Sequence, residues 1–142
     1  MNEVTTPNLF NMDDQVAVIT GAGRGIGEGI AKSFSESGAS VVVAARRIEE
    51  IERVASEIRD SGGSAIAVRT DVTDDEAVVA LAEAAINEFG KITTWVNNAG
   101  GSPMRMPLSE LPREEWDQTI ALNLTSVYVG CITAAKYMTK GS

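Results

Sequence analysis

Short apolar runs alternate with longer amphipathic stretches along the chain. Val16–Thr20 (VAVIT) is apolar and rich in β-branched residues, a pattern that predicts a strand buried on both faces. Gly25–Ser37 follows with Ile26, Ile30, Ala31 and Phe34 at helical spacing, and Gly38 stops that helix. Val41–Ala45 (VVVAA) is a second buried strand. Ile48–Asp60 sets Ile48, Ile51, Val54, Ala55 and Ile58 on one stripe, with Glu49 and Arg53 expected to pair outside it. Ser61-Gly62-Gly63 ends this helix, and Ala65–Arg69 (AIAVR) reads as a third strand. Thr73 through Glu76 matches a capping box, which predicts that Thr73 caps a helix reaching Phe89, closed by Gly90. Ile92–Val96 (ITTWV) is a fourth strand, and 97–111 reads as loop. Pro112 suits a first helical turn, and one long helix is expected from about Arg113 to Lys140.

Strands and helices that alternate with short connections predict an α/β fold, a parallel sheet with helices on both faces. The chain has 142 residues, 44% of them hydrophobic, enough for one core and too few for two. Residues 1–142 are therefore read as one domain, with residues 1 to about 12 as a polar arm. A net charge of −8 gives no electrostatic reason to bind nucleic acid or an anionic membrane. No run approaches the roughly 18 apolar residues of a membrane span. The opening MNEVTTPNLF lacks the basic and apolar regions of a secretory signal. The single cysteine, Cys131, allows no internal disulfide and suits a reducing compartment, so a cytoplasmic location is expected. The absence of histidine removes the commonest metal ligand and the commonest general base, and no metal is expected.

Thr20–Gly29 (TGAGRGIGEG) holds five glycines between the first strand and the first helix. Each costs about 0.5–1 kcal/mol against alanine inside regular structure, so the block wants a reason. Ligands of open parallel sheets bind at the carboxyl ends of the strands. A helix N-terminus there offers free N–H groups and partial positive charge to a phosphate. Side chains would hold that phosphate off the backbone. The pattern is Thr20-Gly21-Ala22-Gly23-Arg24-Gly25-Ile26-Gly27, T-G-x-x-x-G-x-G, and it departs from the general dinucleotide fingerprint, which would place glycine at 26.

The block resembles that of the short-chain dehydrogenase/reductase family, and further motifs agree. Asn97-Asn98-Ala99-Gly100 matches the family's N-N-A-G, Asp71-Val72 follows the third strand, and Asn123 in ALNLT matches the family's helix asparagine. Hydroxysteroid-dehydrogenase-like and 3-oxoacyl-reductase-like members are the most similar. The resemblance implies a Rossmann-type doubly wound sheet of order 3-2-1-4 and a nicotinamide dinucleotide. It implies cofactor contacts from Gly21, Gly23, Arg24, Gly25, Ile26 and Gly27, from Arg46 and Arg47, from Asp71 and Val72 near adenine, and from Asn98, Ala99 and Gly100. The implied reaction is hydride transfer between the nicotinamide and a small ketone or secondary alcohol. Of the implied catalytic group only Asn123 is visible, where the family places a proton-relay water. The family's serine and Tyr-x-x-x-Lys are not in this sequence. Tyr137 and Lys140 are one residue too close and sit at a helix end, so Tyr137 is expected to pack. The chain thus reads as a cofactor half ending before a fifth strand, expected to bind and not turn over. The alternative is a non-catalytic nucleotide-binding or regulatory module. An S-adenosylmethionine-dependent methyltransferase would want an acid after the second strand, and Ala45-Arg46-Arg47 offers none.

That tripeptide also bears on the cofactor. NAD-binding sites place an acid at the end of the second strand, and NADP-binding sites replace it with arginine. Ala45 stands where the acid would be, and Arg46 and Arg24 could both reach a 2′-phosphate, so NADP(H) is expected over NAD(H). With Thr73 as cap, Asp71 is spare and could accept from the adenine amino group. Asn97 and Asn98 are both expected to line the site. Cys131 is expected to be buried and inert, and Trp95 and Trp116 to be core. Apolar residues on much of the long helix, Trp116, Ile120, Leu124, Val127, Val129, Cys131 and Ile132, predict a homo-oligomer, a dimer or tetramer.

Overall fold

The computed structural model describes residues 9–102 and 106–138. Its elements are β1 (Val16–Thr20), α1 (Gly25–Glu36), β2 (Ser40–Ala45), α2 (Ile48–Asp60), β3 (Ser64–Arg69), α3 (Asp75–Phe89), β4 (Thr94–Val96), α4 (Arg113–Ile120) and α5 (Ser126–Tyr137). The four strands form one sheet of order β3-β2-β1-β4, and every pairing is parallel. Val18 stands between Val42 and Trp95.

Successive side chains of a strand point to opposite faces, and each face has its own core. Ala17, Ile19, Val41 and Val43 pack with Ala31 of α1 and with Ile51, Val54, Ala55 and Ile58 of α2. Val18, Val42 and Ala44 pack with Leu81, Ala82 and Ala85 of α3 and with Ile92. This two-sided burial is why β1 and β2 read as continuous apolar runs. Tyr137 packs against the second core and its hydroxyl donates to Glu83 Oε1 at 3.3 Å, as its expected packing role requires. No helix among the described residues is long and apolar enough to cross a membrane. Most of the predicted arm, residues 1–8, lies outside the described residues. Met12 already packs against the first core, and its N–H donates to Ser37 O at 2.8 Å.

Five expectations need correction. Strand β4 begins at Thr94, because the Thr93 hydroxyl intervenes: Val16 N donates to Thr93 Oγ1 at 2.9 Å. The cap of α3 is Asp74, whose Oδ1 accepts from Glu76 N at 3.0 Å and Ala77 N at 3.3 Å. Thr73 turns back instead and donates to Asp71. Arg53 does not pair with Glu49; Glu28 of α1 and Glu57 of its own helix hold it at 2.9 and 2.8 Å. Pro112 precedes α4 in extended conformation rather than forming its first turn. The long helix is not one α-helix, since Ala121–Thr125 widens to a π-helical turn between α4 and α5. Asn123 explains the break: its Nδ2 donates to Thr119 O at 2.9 Å, four residues back. A side chain inserted into the ladder widens it locally. Lys140 lies outside the described residues.

Candidate functional site

Because all four strands are parallel, their carboxyl ends share one edge of the sheet. A cleft of about 420 Å³ opens there. Every residue expected to contact the cofactor lines it. Gly21, Gly23, Arg24, Gly25, Ile26 and Gly27 come from the β1–α1 turn, Arg46 and Arg47 follow β2, Asp71 and Val72 follow β3, and Asn98, Ala99 and Gly100 follow β4. Ala45, Glu50, Thr70 and Leu122 complete the lining. Asn123 stands next to Leu122 but is not on the wall.

The turn presents backbone donors to this cleft. Arg24, in extended conformation, precedes α1 and makes no side-chain cap. The first amides of a helix have no partner within it, so those of Gly25, Ile26 and Gly27 remain available to an anion. The glycines themselves serve separate purposes. Gly25 has φ +60° and open space where a side chain would be, so the reason expected for the whole block, close approach of a ligand, applies there. A Cβ on Gly27 would strike Gly21 O and stand 2.5 Å from Asn98 Nδ2, and one on Gly21 would stand 2.8 Å from Ala99 Cα. Those two glycines let the turn pack against the segment after β4.

That packing is held by a buried hydrogen-bond node. Thr20 Oγ1 donates to Val96 O at 3.2 Å and accepts from the N–H groups of Asn98 and Ala99, each at 3.1 Å. Asn98 Nδ2 returns to Thr20 O at 2.9 Å and Gly21 O at 3.2 Å. The fourth strand's end is thereby locked to the phosphate loop. Asn97 departs from expectation and is not on the lining. Its Oδ1 accepts from Trp95 Nε1 at 3.0 Å and its Nδ2 donates to Cys131 Sγ at 3.5 Å. Cys131 is exposed rather than buried, on a side of α5 turned away from its buried Val129 and Thr133. Trp95 packs against the second core, whereas Trp116 is 45% exposed and is no core residue.

Asp71 is less free than expected. Its Oδ1 accepts from Thr73 N at 3.0 Å and from Thr73 Oγ1 at 2.7 Å, since Asp74 has taken over the cap. Burial works against its charge, but the two Thr73 bonds and the field of Arg46 outweigh it and hold the carboxyl below its ordinary value. Its Oδ2 keeps acceptor capacity toward a ligand. Across the cleft, Arg47 Nη1 is paired with Glu50 Oε1 at 2.7 Å. Arg24 and Arg46 have no ion-pair partner among the described residues. Asn123 spans the loop beyond β4: Gly101 N donates to its Oδ1 at 2.9 Å and its Nδ2 donates to Gly101 O at 2.8 Å.

Sequence reading missed Thr20 and Glu50. The signal for Thr20 was there, one hydroxyl closing an otherwise apolar strand. Glu50 looked like any surface acid of α2, and only the fold turns it to the cleft. The uncapped amides, the open Gly25 and two arginines without ion-pair partners among the described residues together fit a dinucleotide whose phosphates bind at this turn.

The family model for short chain dehydrogenase matches residues 15–142. An uncharacterized oxidoreductase of Listeria innocua is 44% identical over 121 residues, 85% of this chain and 48% of that protein. The 7alpha-hydroxysteroid dehydrogenase of Escherichia coli is 44% identical over 107 residues, 73% of this chain and 42% of that protein. A solved 7alpha-hydroxysteroid dehydrogenase, complexed with NADH and 7-oxo glycochenodeoxycholic acid, superposes with a TM-score of 0.86 at 38% identity over 91% of this chain and 50% of that one. The chain spans about half the length of the curated relatives it matches. With the parallel 3-2-1-4 sheet and the glycine turn at its carboxyl edge, the matches place this chain in the short-chain dehydrogenase family.

Proposed function

We propose that this chain is the cofactor-binding part of an oxidoreductase that interconverts a small ketone and a secondary alcohol, with NADP(H) preferred over NAD(H). The bound dinucleotide supplies or accepts the hydride. The chain's residues bind and orient it. Amides at the start of α1 face the phosphates. Asp71 and Val72 hold the adenine end, and Asn98, Ala99 and Gly100 the end toward the nicotinamide. Asn123 steadies the loop after β4 through Gly101, and one acceptor site on its Oδ1 remains for a relay water. Residues 1–142 carry neither the family's serine nor its Tyr-x-x-x-Lys, and by themselves they are expected to bind without turnover.

One observation carries the NADP(H) preference. No carboxylate stands at Ala45, and Arg24 and Arg46 line the same cleft without ion-pair partners among the described residues. A guanidinium matches a phosphate with two parallel hydrogen bonds. The related 7alpha-hydroxysteroid dehydrogenase was solved with NADH, so the preference has to be measured in this chain. Fluorescence titration with NADPH and NADH is the test. NADPH should bind at least tenfold tighter, and Arg46→Ala should close the gap. NADH binding equally well or better overturns the preference.

The exposed free thiol of Cys131 supports a cytoplasmic location, where thiols stay reduced. The exposed apolar residues of α4 and α5 support a homo-oligomer.

A further inference from the structure

We propose that Glu50, in the first turn of α2, is a specificity determinant that opposes the arginines of the cleft at the 2′ position of the adenosine ribose. The inference rests on the reading of the cleft as a dinucleotide site, and it concerns a residue outside the usual strand-end position. Strand β2 ends at Ala45, so the end of that strand carries no acid. Yet this side of the cleft does hold a carboxylate. Glu50 lines it together with Arg24, Arg46 and Arg47.

The two oxygens of Glu50 do different things. Oε1 accepts from Arg47 Nη1 at 2.7 Å. Oε2 leans over the phosphate loop, where a Cβ on Gly23 would stand 3.0 Å from it. No hydrogen bond to Oε2 is formed among the described residues. The hydrogen bond from Arg47 outweighs burial, and with the charges of Arg47, Arg24 and Arg53 it keeps the carboxyl below its ordinary value. Glu50 therefore stays ionised at neutral pH, an acceptor with no proton to give.

An ionised carboxylate accepts a hydrogen bond from a ribose hydroxyl and repels a phosphate in the same place. Glu50 also occupies Arg47, which would otherwise be a third guanidinium for that phosphate. Both effects favour the unphosphorylated ribose. Arg24 and Arg46 act in the opposite sense, so the observed preference is a balance between them and Glu50.

Glu50→Gln removes the charge, keeps the shape and leaves Arg47 with at most a neutral acceptor. The experiment titrates the wild-type and Glu50→Gln proteins with NADPH, NADH and adenosine 2′,5′-bisphosphate, and follows the melting temperature without nucleotide. The ratio of NADH to NADPH dissociation constants should rise about tenfold, and the bisphosphate should bind more tightly. Arg47→Ala should move the ratio the other way. Equal weakening of both dinucleotides makes Glu50 a support for the loop at Gly23 and overturns the assignment. An unchanged ratio overturns it too, while binding of both dinucleotides leaves the nucleotide site standing. A wild-type protein that binds neither overturns the site itself and this assignment with it.

Discussion

Arg53 and Gly23 lie 30 positions apart in sequence, yet Arg53 Nη2 donates to Gly23 O at 3.1 Å. The same guanidinium reaches Glu28 Oε2 at 2.9 Å and Glu57 Oε1 at 2.8 Å. Lys32 closes the group, 2.7 Å from both Glu28 and Glu57. One arginine of α2 thereby ties the phosphate loop to α1 and α2 together.

Arg53 is a positioning residue, expected to act on the nucleotide through the loop. Arg53→Met should weaken NADPH binding about five- to tenfold. Stability should fall only slightly, as is usual for exposed ion pairs. Arg53→Lys should restore part of the affinity, since its ammonium can reach one of the same oxygens. Fluorescence titration and thermal melting separate the two effects. Equal affinity in wild type and Arg53→Met rejects the positioning role.

The same network makes a prediction about acid. Hydrogen bonds from Arg53 and then Lys32, aided by their charges and opposed by burial, lower the Glu28 carboxyl from its usual 4.5 to about 2. A depressed folded-state pKa contributes stability that is present above the unfolded value and lost as pH falls through the folded one. The Glu28 contribution should therefore be complete at neutral pH and disappear between about pH 4.5 and pH 2. Glu28→Gln should be less stable than wild type at pH 7, and the difference should shrink across that window. Urea midpoints at several pH values measure it, and a difference constant with pH contradicts the assignment.

Most elements were legible in the sequence because each is decided locally. The apolar runs of β1 and β2 and the stripe of α2 name their own burial, and Gly38 and Gly90 stop helices with φ +107° and +77°. What was not legible depends on partners far along the chain. Arg53 ignores Glu49 because two other carboxylates lie within its reach. Asn123 opens a π turn because Gly101, 22 residues earlier, bonds its amide in both directions. The capping box failed for a local reason: Asp74 is an equally good cap one residue on, and Asp71 captures the Thr73 hydroxyl. In the site, the wall was readable from motifs, while Thr20 and Glu50 needed the fold to show what they face.

Two glycines of α1 should respond oppositely to alanine. A methyl on Gly27 meets Gly21 O and Asn98 Nδ2, so Gly27→Ala should cost about 1–3 kcal/mol and impair nucleotide binding. Beyond its own helix backbone and chain neighbours, no atom of the described residues lies within 4 Å of where a Cβ on Gly29 would be. Gly29→Ala should be neutral or stabilising by up to about 1 kcal/mol. Denaturant unfolding of both variants tests the pair. Similar effects at the two positions contradict the packing role given to Gly27.

Thr20 offers a test of the node beneath the loop. It is 3% exposed, and its hydroxyl serves Val96 O, Asn98 N and Ala99 N at once. Thr20→Val keeps the shape but removes all three bonds; Asn98 N still reaches Val96 O at 3.1 Å, whereas Ala99 N is left unmet, which is costly. A loss of about 1–3 kcal/mol is expected, with weaker NADPH binding because Asn98 and Ala99 line the cleft. Thr20→Ser should recover most of both. If valine is tolerated, the node is not what locks β4 to the glycine turn.

The apolar surface of the last helices bears on assembly. Trp116, Leu124, Tyr128 and Ile132 are 45, 63, 64 and 40% exposed. Multiples of four residues separate them, so on helical geometry they recur along one side, drifting slowly around the axis. Charged or polar residues usually occupy such positions when a helix faces water. The proposed homo-oligomer would cover this stripe with the same stripe of a second copy, as a two-fold interface requires. Leu124→Glu places a charge in its middle and touches neither core nor cleft. Light scattering should then show the wild type as a dimer or larger and the variant as a single chain, with little change in NADPH affinity. A wild-type protein that is monomeric at working concentrations rejects the interface. A variant that stays assembled moves it elsewhere on the surface.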